Sequence, residues 1–172
     1  MKIAVLSTNS NKENLISFKN KSGIDFNHII ADSYQDWHSQ YNYVVLNTTN
    51  KKAYYIGLDY ITKEHNPDII VYYNSEKRVL TNNFLRIIHD YYAGCKSKIV
   101  SLSSDLENQE FKHEVVERNQ KVQFISYIDD NFHCLPITAA RMLLGNMPER
   151  KVNFFMSKGF DIIKLKNVVY EN

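Results

Sequence analysis

The sequence predicts a single Rossmann-like α/β domain, with a mostly parallel sheet of about six to seven strands and helices on both faces. Short β-branched runs alternate with longer amphipathic runs along the 172 residues. Strand–helix alternation with right-handed crossovers produces a parallel sheet that is covered on both sides. The composition, 44% hydrophobic and 23% charged, is that of an ordinary globular domain. No repeat, low-complexity tract or linker divides the chain, so one domain over residues 1–172 is expected.

Seven short apolar runs have the pattern of buried strands. The clearest is Ile69-Ile70-Val71-Tyr72, because Pro67 in front of it lacks a backbone donor and biases Asn66 towards extended geometry. The predicted strands lie near Ile3, Ile29, Val45, Ile70, Ile99, Phe124 and Ile162.

Amphipathic windows between these strands predict the helices. Residues 53–64 are ambiguous, because residues 44–56 also suit a hairpin that turns at Asn50-Lys51. The helix is favoured, since Asn66-Pro67-Asp68 closes it in front of a strand. The other predicted helices cover residues 11–20, 81–92, 107–118, 136–144 and 148–159.

Cysteine usage, hydropathy and charge indicate the cellular compartment of the protein and the kinds of partner it can have. Cys95 and Cys134 are isolated in the sequence, which favours a reducing compartment over secretion. The apolar start of the chain is too short for a signal peptide, and no run approaches the ~20 apolar residues of a membrane span. We therefore expect a cytoplasmic protein without membrane association. The net charge of +2 does not by itself indicate nucleic-acid binding, so a nucleic-acid partner stays open.

Polar side chains follow several of the predicted strands, at the ends where ligands of open parallel sheets gather. Asp105 follows the fifth strand and is the candidate general base, with helix capping as its alternative. For Asp129-Asp130-Asn131 the alternative is a turn or a cap, and for the loop after the first strand it is a helix cap. The candidate substrate-binding residues are Ser7, Thr8, Asn9, Asn74, Ser75, Lys77, Asp129 and Asp130.

The sequence lacks the motifs that mark several common kinds of functional site. No glycine-rich dinucleotide fingerprint, P-loop or GxSxG elbow is present. The six histidines show no zinc-type spacing. We therefore expect no metal site, no tightly bound cofactor and no serine or cysteine hydrolase chemistry.

Three segments of the sequence resemble those of a known protein family. They are Lys96-Ser97-Lys98-Ile99-Val100-Ser101-Leu102-Ser103-Ser104-Asp105, the opening Met1-Lys2-Ile3-Ala4, and Asn66-Pro67-Asp68-Ile69-Ile70. Together they resemble the N-terminal, acceptor-side domain of two-domain GT-B type glycosyltransferases. Within that class, the segments are most similar to those of the phage DNA β-glucosyltransferases.

The resemblance implies a function. Asp105 would deprotonate an acceptor hydroxyl for attack on the anomeric carbon of a nucleotide sugar, which is the co-substrate, and the acceptor could be modified DNA. In these enzymes a C-terminal domain holds most of the nucleotide-sugar site, and the 172 residues contain no counterpart of it. The resemblance therefore implies a half-enzyme that needs a second glycosyltransferase domain or subunit, a truncated piece of such an enzyme, or a relative that has lost catalysis.

The alternative is a non-catalytic α/β module that recruits a protein or a small ligand. Twelve tyrosines among the 172 residues suit an interaction surface, because tyrosine is amphipathic and enriched at interfaces. Binding of a nucleotide sugar would separate the two hypotheses.

Overall fold

The computed structural model describes residues 1–48, 51–93, 96–104 and 114–171. Within these ranges the chain forms one sheet, five α-helices and a short 3₁₀ helix at Asp36–Gln40. The strands are β1 (Ile3–Thr8), β2 (Asn27–Ala31), β3 (Val44–Val45), β4 (Ile69–Asn74), β5 (Arg78–Val79), β6 (Lys98–Ser104), β7 (Glu114–Glu117), β8 (Gln120–Phe124), β9 (Phe132–Pro136) and β10 (Asp161–Glu171). The helices are α1 (Lys12–Lys21), α2 (Ala53–Glu64), α3 (Phe84–Tyr92), α4 (Ile137–Asn146) and α5 (Lys151–Ser157).

The sheet has the strand order β3-β2-β1-β4-β9-β6-β10-β8-β7, with β5 paired to β10. Parallel pairing joins β1 to β2 and β4, β2 to β3, and β6 to β10, whereas β9 is antiparallel to both of its neighbours. Following the pairings, all strands except β5, β8 and β9 run in one direction. The predicted mostly parallel α/β sheet is confirmed, and it is larger than the expected six to seven strands.

The apolar residues of the parallel strands are buried because helices cover both faces of the sheet. One face packs on α1 and α3 through an aromatic cluster around Phe18, Tyr73 and Phe84. The other face packs on α2, α4 and α5. Gly57 allows α2 to lie close to β1, since a Cβ there would stand 2.2 Å from a methyl carbon of Leu6.

The strand order reverses between β1 and β4. From β1 the chain passes through α1 to β2 and β3 on one side, and then returns through α2 to β4 on the other side. The carboxyl ends of β1 and β4 therefore flank a topological switch point, where open α/β sheets bind ligands.

Every predicted strand position lies in a strand, and 53–64 is a helix as favoured. The predicted helix over 107–118 is wrong where the structure describes it, because residues 114–117 form β7 of a hairpin with β8. Arg118 and Asn119 turn that hairpin at φ values of 51° and 62°, the left-handed geometry of tight hairpin turns. β9 was not predicted as a strand, and its insertion between β4 and β6 makes the sheet mixed. Among the described helices, none is long and apolar enough to cross a membrane.

Candidate functional site

The carboxyl ends of β1 and β4 are joined by polar side chains. Thr8 and Asn74 end these strands and are direct partners in the parallel register. Thr8 Oγ1 lies 2.7 Å from Tyr72 Oη, and Asn9 Nδ2 donates to Asn74 Oδ1 at 2.9 Å. Asn9 has a φ of 64°, a left-handed conformation that asparagine tolerates better than most residues. This end of the sheet, which we call the carboxyl edge, therefore presents hydroxyl and amide groups held by neighbouring strands.

The start of α1 is fixed to the end of β4. Asn11 caps the helix by accepting a hydrogen bond from Asn14 N at 3.0 Å, so the capping alternative for this loop is confirmed at Asn11. Ser75 is buried, and its Oγ accepts a hydrogen bond from Asn11 N at 3.0 Å. Asn14 Nδ2 donates to Ser75 O at 2.8 Å. Ser75 therefore holds the helix start in place rather than facing solvent.

The segment before β9 reaches the same edge from the other side of β4. Asn74 N donates to Asn131 O at 2.8 Å, and Asn74 Nδ2 donates to Asn131 Oδ1 at 3.0 Å. Asp129 Oδ1 accepts from the backbone N–H groups of Asn131 and Phe132 at 2.7 and 2.9 Å, and its Oδ2 accepts from Tyr170 Oη at 2.7 Å. The Asp129 carboxylate therefore organises a turn, as in the alternative interpretation of this segment.

His133 connects this turn to α2. Its Nδ1 lies 2.6 Å from Asp129 O, a carbonyl that can only accept, so Nδ1 carries the proton. The Nε2 atom then accepts from Tyr54 Oη at 2.8 Å. Burial, with the nearby Lys151 ammonium adding to it, lowers the pKa of His133 to about 3. His133 is thus a neutral ring with both nitrogens bonded, and it packs against Tyr72 at a centroid distance of 4.9 Å.

Lys151 is the first residue of α5, and its ammonium lies over the ring of Tyr54, the hydrogen-bond partner of His133. Its Nζ lies 4.2 Å from the centroid of the Tyr54 ring and 5.8 Å from that of Tyr55. Burial lowers the pKa of Lys151, and the negative charge of Asp130 acts in the opposite direction. The Asp130 charge also contributes to raising the pKa values of Tyr54 and Tyr72, so all four groups share one neighbourhood.

Some of the predicted site residues have side chains that reach the carboxyl edge, and others do not. Ser7 lies inside β1, fully buried, with its Oγ 2.8 Å from His28 Nε2, so its side chain does not reach the edge. Lys77 follows the turn after β4, where its backbone N donates to Asn74 O at 3.1 Å. Asp105 lies outside the described residues. The predicted residues that meet at the carboxyl edge with solvent-accessible side chains are Thr8, Asn9, Asn74 and Asp130.

Four residues of this neighbourhood were not predicted as site residues. Tyr72 had a detectable signal, because two-residue alternation puts it on the same face of β4 as Asn74. His133 also had a signal, because it closely follows Asp129-Asp130-Asn131 in the sequence. Tyr54 and Lys151 had none, since α2 and α5 reach this neighbourhood only through long-range packing.

The described residues do not form a metal site. No group of three or more His, Cys, Asp or Glu side chains among them is placed to hold an ion. β4 ends in Asn74 and is followed by Ser75, and both are uncharged; the described carboxylates near this edge are those of Glu76, Asp129 and Asp130. Divalent cations prefer several carboxylate oxygens, and within the part of the chain that the structure describes no three acidic side chains converge on one point.

A separate cavity of about 290 Å³ lies at the opposite end of the sheet, where the parallel strands begin; we call this end the amino edge. It opens where the chain enters β2 and β3, and Lys19, Asp25, His28 and Tyr43 are among its lining residues. Burial lowers the pKa of His28 to about 3, with Lys19 adding to the effect, and raises the pKa of Tyr43 to about 12.

The sequence matches no model of a known protein family and no curated protein sequence. Solved structures match it in fold. The mannosyltransferase PcManGT from Pyrobaculum calidifontis, solved in complex with GDP-Man and Mn²⁺, has a TM-score of 0.72 at 10% identity, over 99% of this chain and 56% of that one. A fragment of S. aureus TarS, residues 1–349, gives 0.68 at 13% identity, over 99% of this chain and 60% of the fragment. A197 from STIV gives 0.56 at 13% identity, over 99% and 84%.

These similarities show a Rossmann-like α/β fold that a glycosyltransferase also has. The chain spans between about half and two-thirds of the mannosyltransferase and of the TarS fragment.

Proposed function

We propose that this domain binds a nucleotide sugar at the carboxyl edge of β1 and β4 and takes part in sugar transfer. The observation that carries the proposal is the polar bridge at the switch point, where Thr8 contacts Tyr72 and Asn9 contacts Asn74. The support from fold is that a mannosyltransferase solved with GDP-Man has a similar fold across nearly the whole chain.

The groups at this edge suit the parts of a nucleotide sugar. Ribose and hexose rings present hydroxyls, which pair with side chains that both donate and accept, and Thr8, Asn9 and Asn74 are of that kind. The tyrosine rings beside them offer apolar faces for a base or a sugar ring. The bonds between Asn9 and Asn74 and between Thr8 and Tyr72 fix these groups before a ligand arrives, which reduces the entropy lost on binding.

For the transfer step we propose Asp105 as the general base that takes the proton of the acceptor hydroxyl. β6 runs in the same direction as β4 and ends at Ser104, at the same edge of the sheet. Asp105 is the next residue in the sequence. In a transferring enzyme, Asp105→Asn should lower turnover by about 10²–10⁴-fold. The acceptor, modified DNA included, and the GT-B arrangement with a second donor-binding domain or subunit stay predictions.

Calorimetric titration of the 172-residue chain with GDP-mannose, UDP-glucose and UDP-N-acetylglucosamine tests the proposal. We expect one of these ligands to bind, and Thr8→Val to weaken it by about three- to tenfold, because the isosteric variant loses one hydrogen-bonding hydroxyl. Asn9→Gly should act similarly, since glycine keeps the left-handed backbone without strain. Thr138→Val, at an exposed threonine at the start of α4, is the matched control and should bind like the unmodified protein.

The outcomes separate the hypotheses. Failure of every nucleotide sugar to bind the isolated chain contradicts the proposal, and binding that appears only with an added second domain supports the half-enzyme interpretation instead. Binding without turnover against any acceptor, with Asp105→Asn indistinguishable from the parent, favours the non-catalytic module.

A further inference from the structure

The amino-edge cavity is lined by two residues that each carry a buried polar atom without a partner among the described residues. His28 is 5% exposed, and the atom is its Nδ1. In Tyr43 the atom is the hydroxyl oxygen, Oη. Leaving such a group without a hydrogen bond is unfavourable, and native proteins do so rarely. Because both residues line the same cavity, a molecule bound there would supply both missing hydrogen bonds.

Contacts within the fold hold the two rings in place. His28 belongs to β2, and its Nε2 lies 2.8 Å from the buried Oγ of Ser7 on β1. Tyr43 packs edge-on against His28 at a centroid distance of 4.9 Å, and the ring of Phe26 lies 5.4 Å from the same imidazole. A ligand therefore meets polar atoms and aromatic walls that are already positioned, which reduces the entropy lost on binding.

Both buried groups are uncharged at neutral pH. Burial lowers the pKa of His28 to about 3 and raises the pKa of Tyr43 to about 12, so the imidazole is neutral and the phenol is protonated. The Tyr43 hydroxyl both donates and accepts, and the neutral imidazole donates or accepts through Nδ1. Together with Phe26, these two rings line the cavity with aromatic surface. The interior therefore suits an aromatic ring with a neutral hydrogen-bonding group, and it disfavours a buried charge.

Side chains of both charges stand at the rim of the cavity. Lys19 and Asp25 line it, and both are exposed. The Lys19 charge contributes to the low pKa of His28, which places the ammonium near the imidazole. Among the described residues, neither Lys19 nor Asp25 forms an ion pair. A molecule with one carboxylate and one ammonium group matches these two charges, whereas a ligand with a single charge is repelled by one of them.

We propose that the amino-edge cavity binds a free aromatic amino acid whose side chain carries a hydrogen-bonding group, such as tyrosine. The ligand side chain lies against Phe26, His28 and Tyr43, and its hydroxyl bonds to the unpaired ring atoms. The ligand carboxylate and ammonium stay at the rim, beside Lys19 and Asp25. The volume of about 290 Å³ is just below the range of about 300–1,000 Å³ for drug-sized molecules, which agrees with so small a ligand. This site lies at the opposite end of the sheet from the carboxyl edge, and it does not depend on the proposed sugar transfer.

Titrations of the ¹⁵N-labelled 172-residue chain with L-tyrosine and with L-phenylalanine, followed by amide chemical shifts, test the proposal. L-Tyrosine should shift the amides around His28 and Tyr43 and leave those around Asn74 and Asp130 unchanged. L-Phenylalanine should bind about three- to tenfold more weakly, because it lacks the hydroxyl. Tyr43→Phe should weaken L-tyrosine by a similar factor and reduce its advantage over L-phenylalanine. Tyr34→Phe, at an exposed tyrosine outside the cavity, is the matched control and should bind both like the parent.

Analogues of the ligand test the charges at the rim. Tyramine lacks the carboxylate and 3-(4-hydroxyphenyl)propionate lacks the ammonium group, so each should bind more weakly than L-tyrosine. Lys19→Met should weaken L-tyrosine and the propionate by about two- to fivefold, the size of an exposed ion pair, and should not weaken tyramine. Lys12→Met, at the other end of α1, is the matched control and should leave all three affinities unchanged.

Each contrary result overturns the assignment. If none of these molecules shifts the amides around His28 and Tyr43, the cavity holds only water. If L-tyrosine and L-phenylalanine bind equally, or if Tyr43→Phe binds L-tyrosine like the parent, the buried polar groups do not recognise the ligand. If Lys19→Met leaves L-tyrosine unaffected, or weakens tyramine as much, the rim does not bind the carboxylate. None of these experiments uses a nucleotide sugar, so their failure is distinct from a failure of the proposed function.

Discussion

Two histidines are buried at opposite edges of the same sheet, and they differ in what their ring nitrogens contact. His28, near the amino edge, bonds to Ser7 through Nε2, while its Nδ1 has no partner among the described residues. His133, near the carboxyl edge, uses both nitrogens, one with Asp129 O and one with Tyr54. Burial lowers the pKa of both rings to about 3. A strongly lowered pKa therefore does not distinguish the two regions, whereas the completeness of the hydrogen bonding does.

The same contrast holds for the tyrosine beside each ring. Tyr43 packs edge-on against His28 at 4.9 Å, and its buried hydroxyl has no partner among the described residues. The Tyr54 hydroxyl is bonded to His133. Satisfied polar networks make a region rigid and specific, so the carboxyl edge has the organisation expected of a binding site. At the amino-edge cavity, His28 Nδ1 and Tyr43 Oη have no hydrogen-bond partner among the described residues.

The largest expected effect concerns pH. The folded-state pKa of each histidine is about 3 against 6.5 unfolded, so below pH 6.5 the unfolded chain binds protons that the folded protein excludes. Stability is therefore complete above pH 6.5 and falls as the pH decreases towards 3. From pH 7.5 to pH 5 each ring should remove about 2 kcal/mol, or about 4 kcal/mol together. Urea unfolding at the two pH values measures this.

Single variants assign this pH effect to the two rings. His28→Leu and His133→Leu should each remove about half of the pH dependence, since each deletes one titrating group. A pH dependence that neither substitution reduces would contradict the burial of these rings as neutral species.

The next effect compares the same two substitutions at pH 7.5. His133→Leu should destabilise the protein by about 2–3 kcal/mol, because it leaves Tyr54 Oη and Asp129 O without their partner. His28→Leu leaves one buried group, Ser7 Oγ, without its partner and also removes an unpaired nitrogen, so we expect a smaller loss of about 1 kcal/mol. Chemical unfolding at fixed pH measures both, and equal losses would remove the distinction between the two edges.

The smallest effect concerns the two tyrosine hydroxyls. Tyr54→Phe should lower the free energy of unfolding by about 1 kcal/mol, since His133 Nε2 loses its donor. Tyr43→Phe should be neutral or slightly stabilising, because it deletes a buried hydroxyl without a partner. Thermal unfolding of the pair is the measurement, and a larger loss for Tyr43→Phe would contradict the assigned hydrogen bonding.

Local signals were sufficient for the parallel half of the sheet. The strand at Ile70 and the one at Ile3 are continuous apolar runs because both of their faces are covered. Residues 53–64 form a helix because their buried positions, such as Leu58 and Ile61, recur at helical spacing. The rule that ligands gather at the carboxyl ends of parallel strands was enough to predict from the sequence that Asn74 and Thr8 lie at one end of the sheet.

Long-range pairing was not predictable in the same way. β9 carries His133 and Cys134 inside its apolar run, and its antiparallel insertion between β4 and β6 has no local sequence signal. Residues 114–117 resemble a helix face in sequence, but their valines are exposed on an outer hairpin, with Val116 at 73% exposure. Lys151 and Tyr54 meet only because α5 and α2 pack on the same face.

A titration of ¹⁵N-labelled protein with the nucleotide sugar, followed by amide chemical shifts, tests most directly whether this ligand binds at the carboxyl edge. We expect the shifts to concentrate at the carboxyl edge, at and around Thr8, Asn74 and Asp130, while the amides at the amino-edge cavity around His28 and Tyr43 stay unchanged. Shifts confined to the cavity around His28 and Tyr43, or no shifts at saturating ligand, would contradict it.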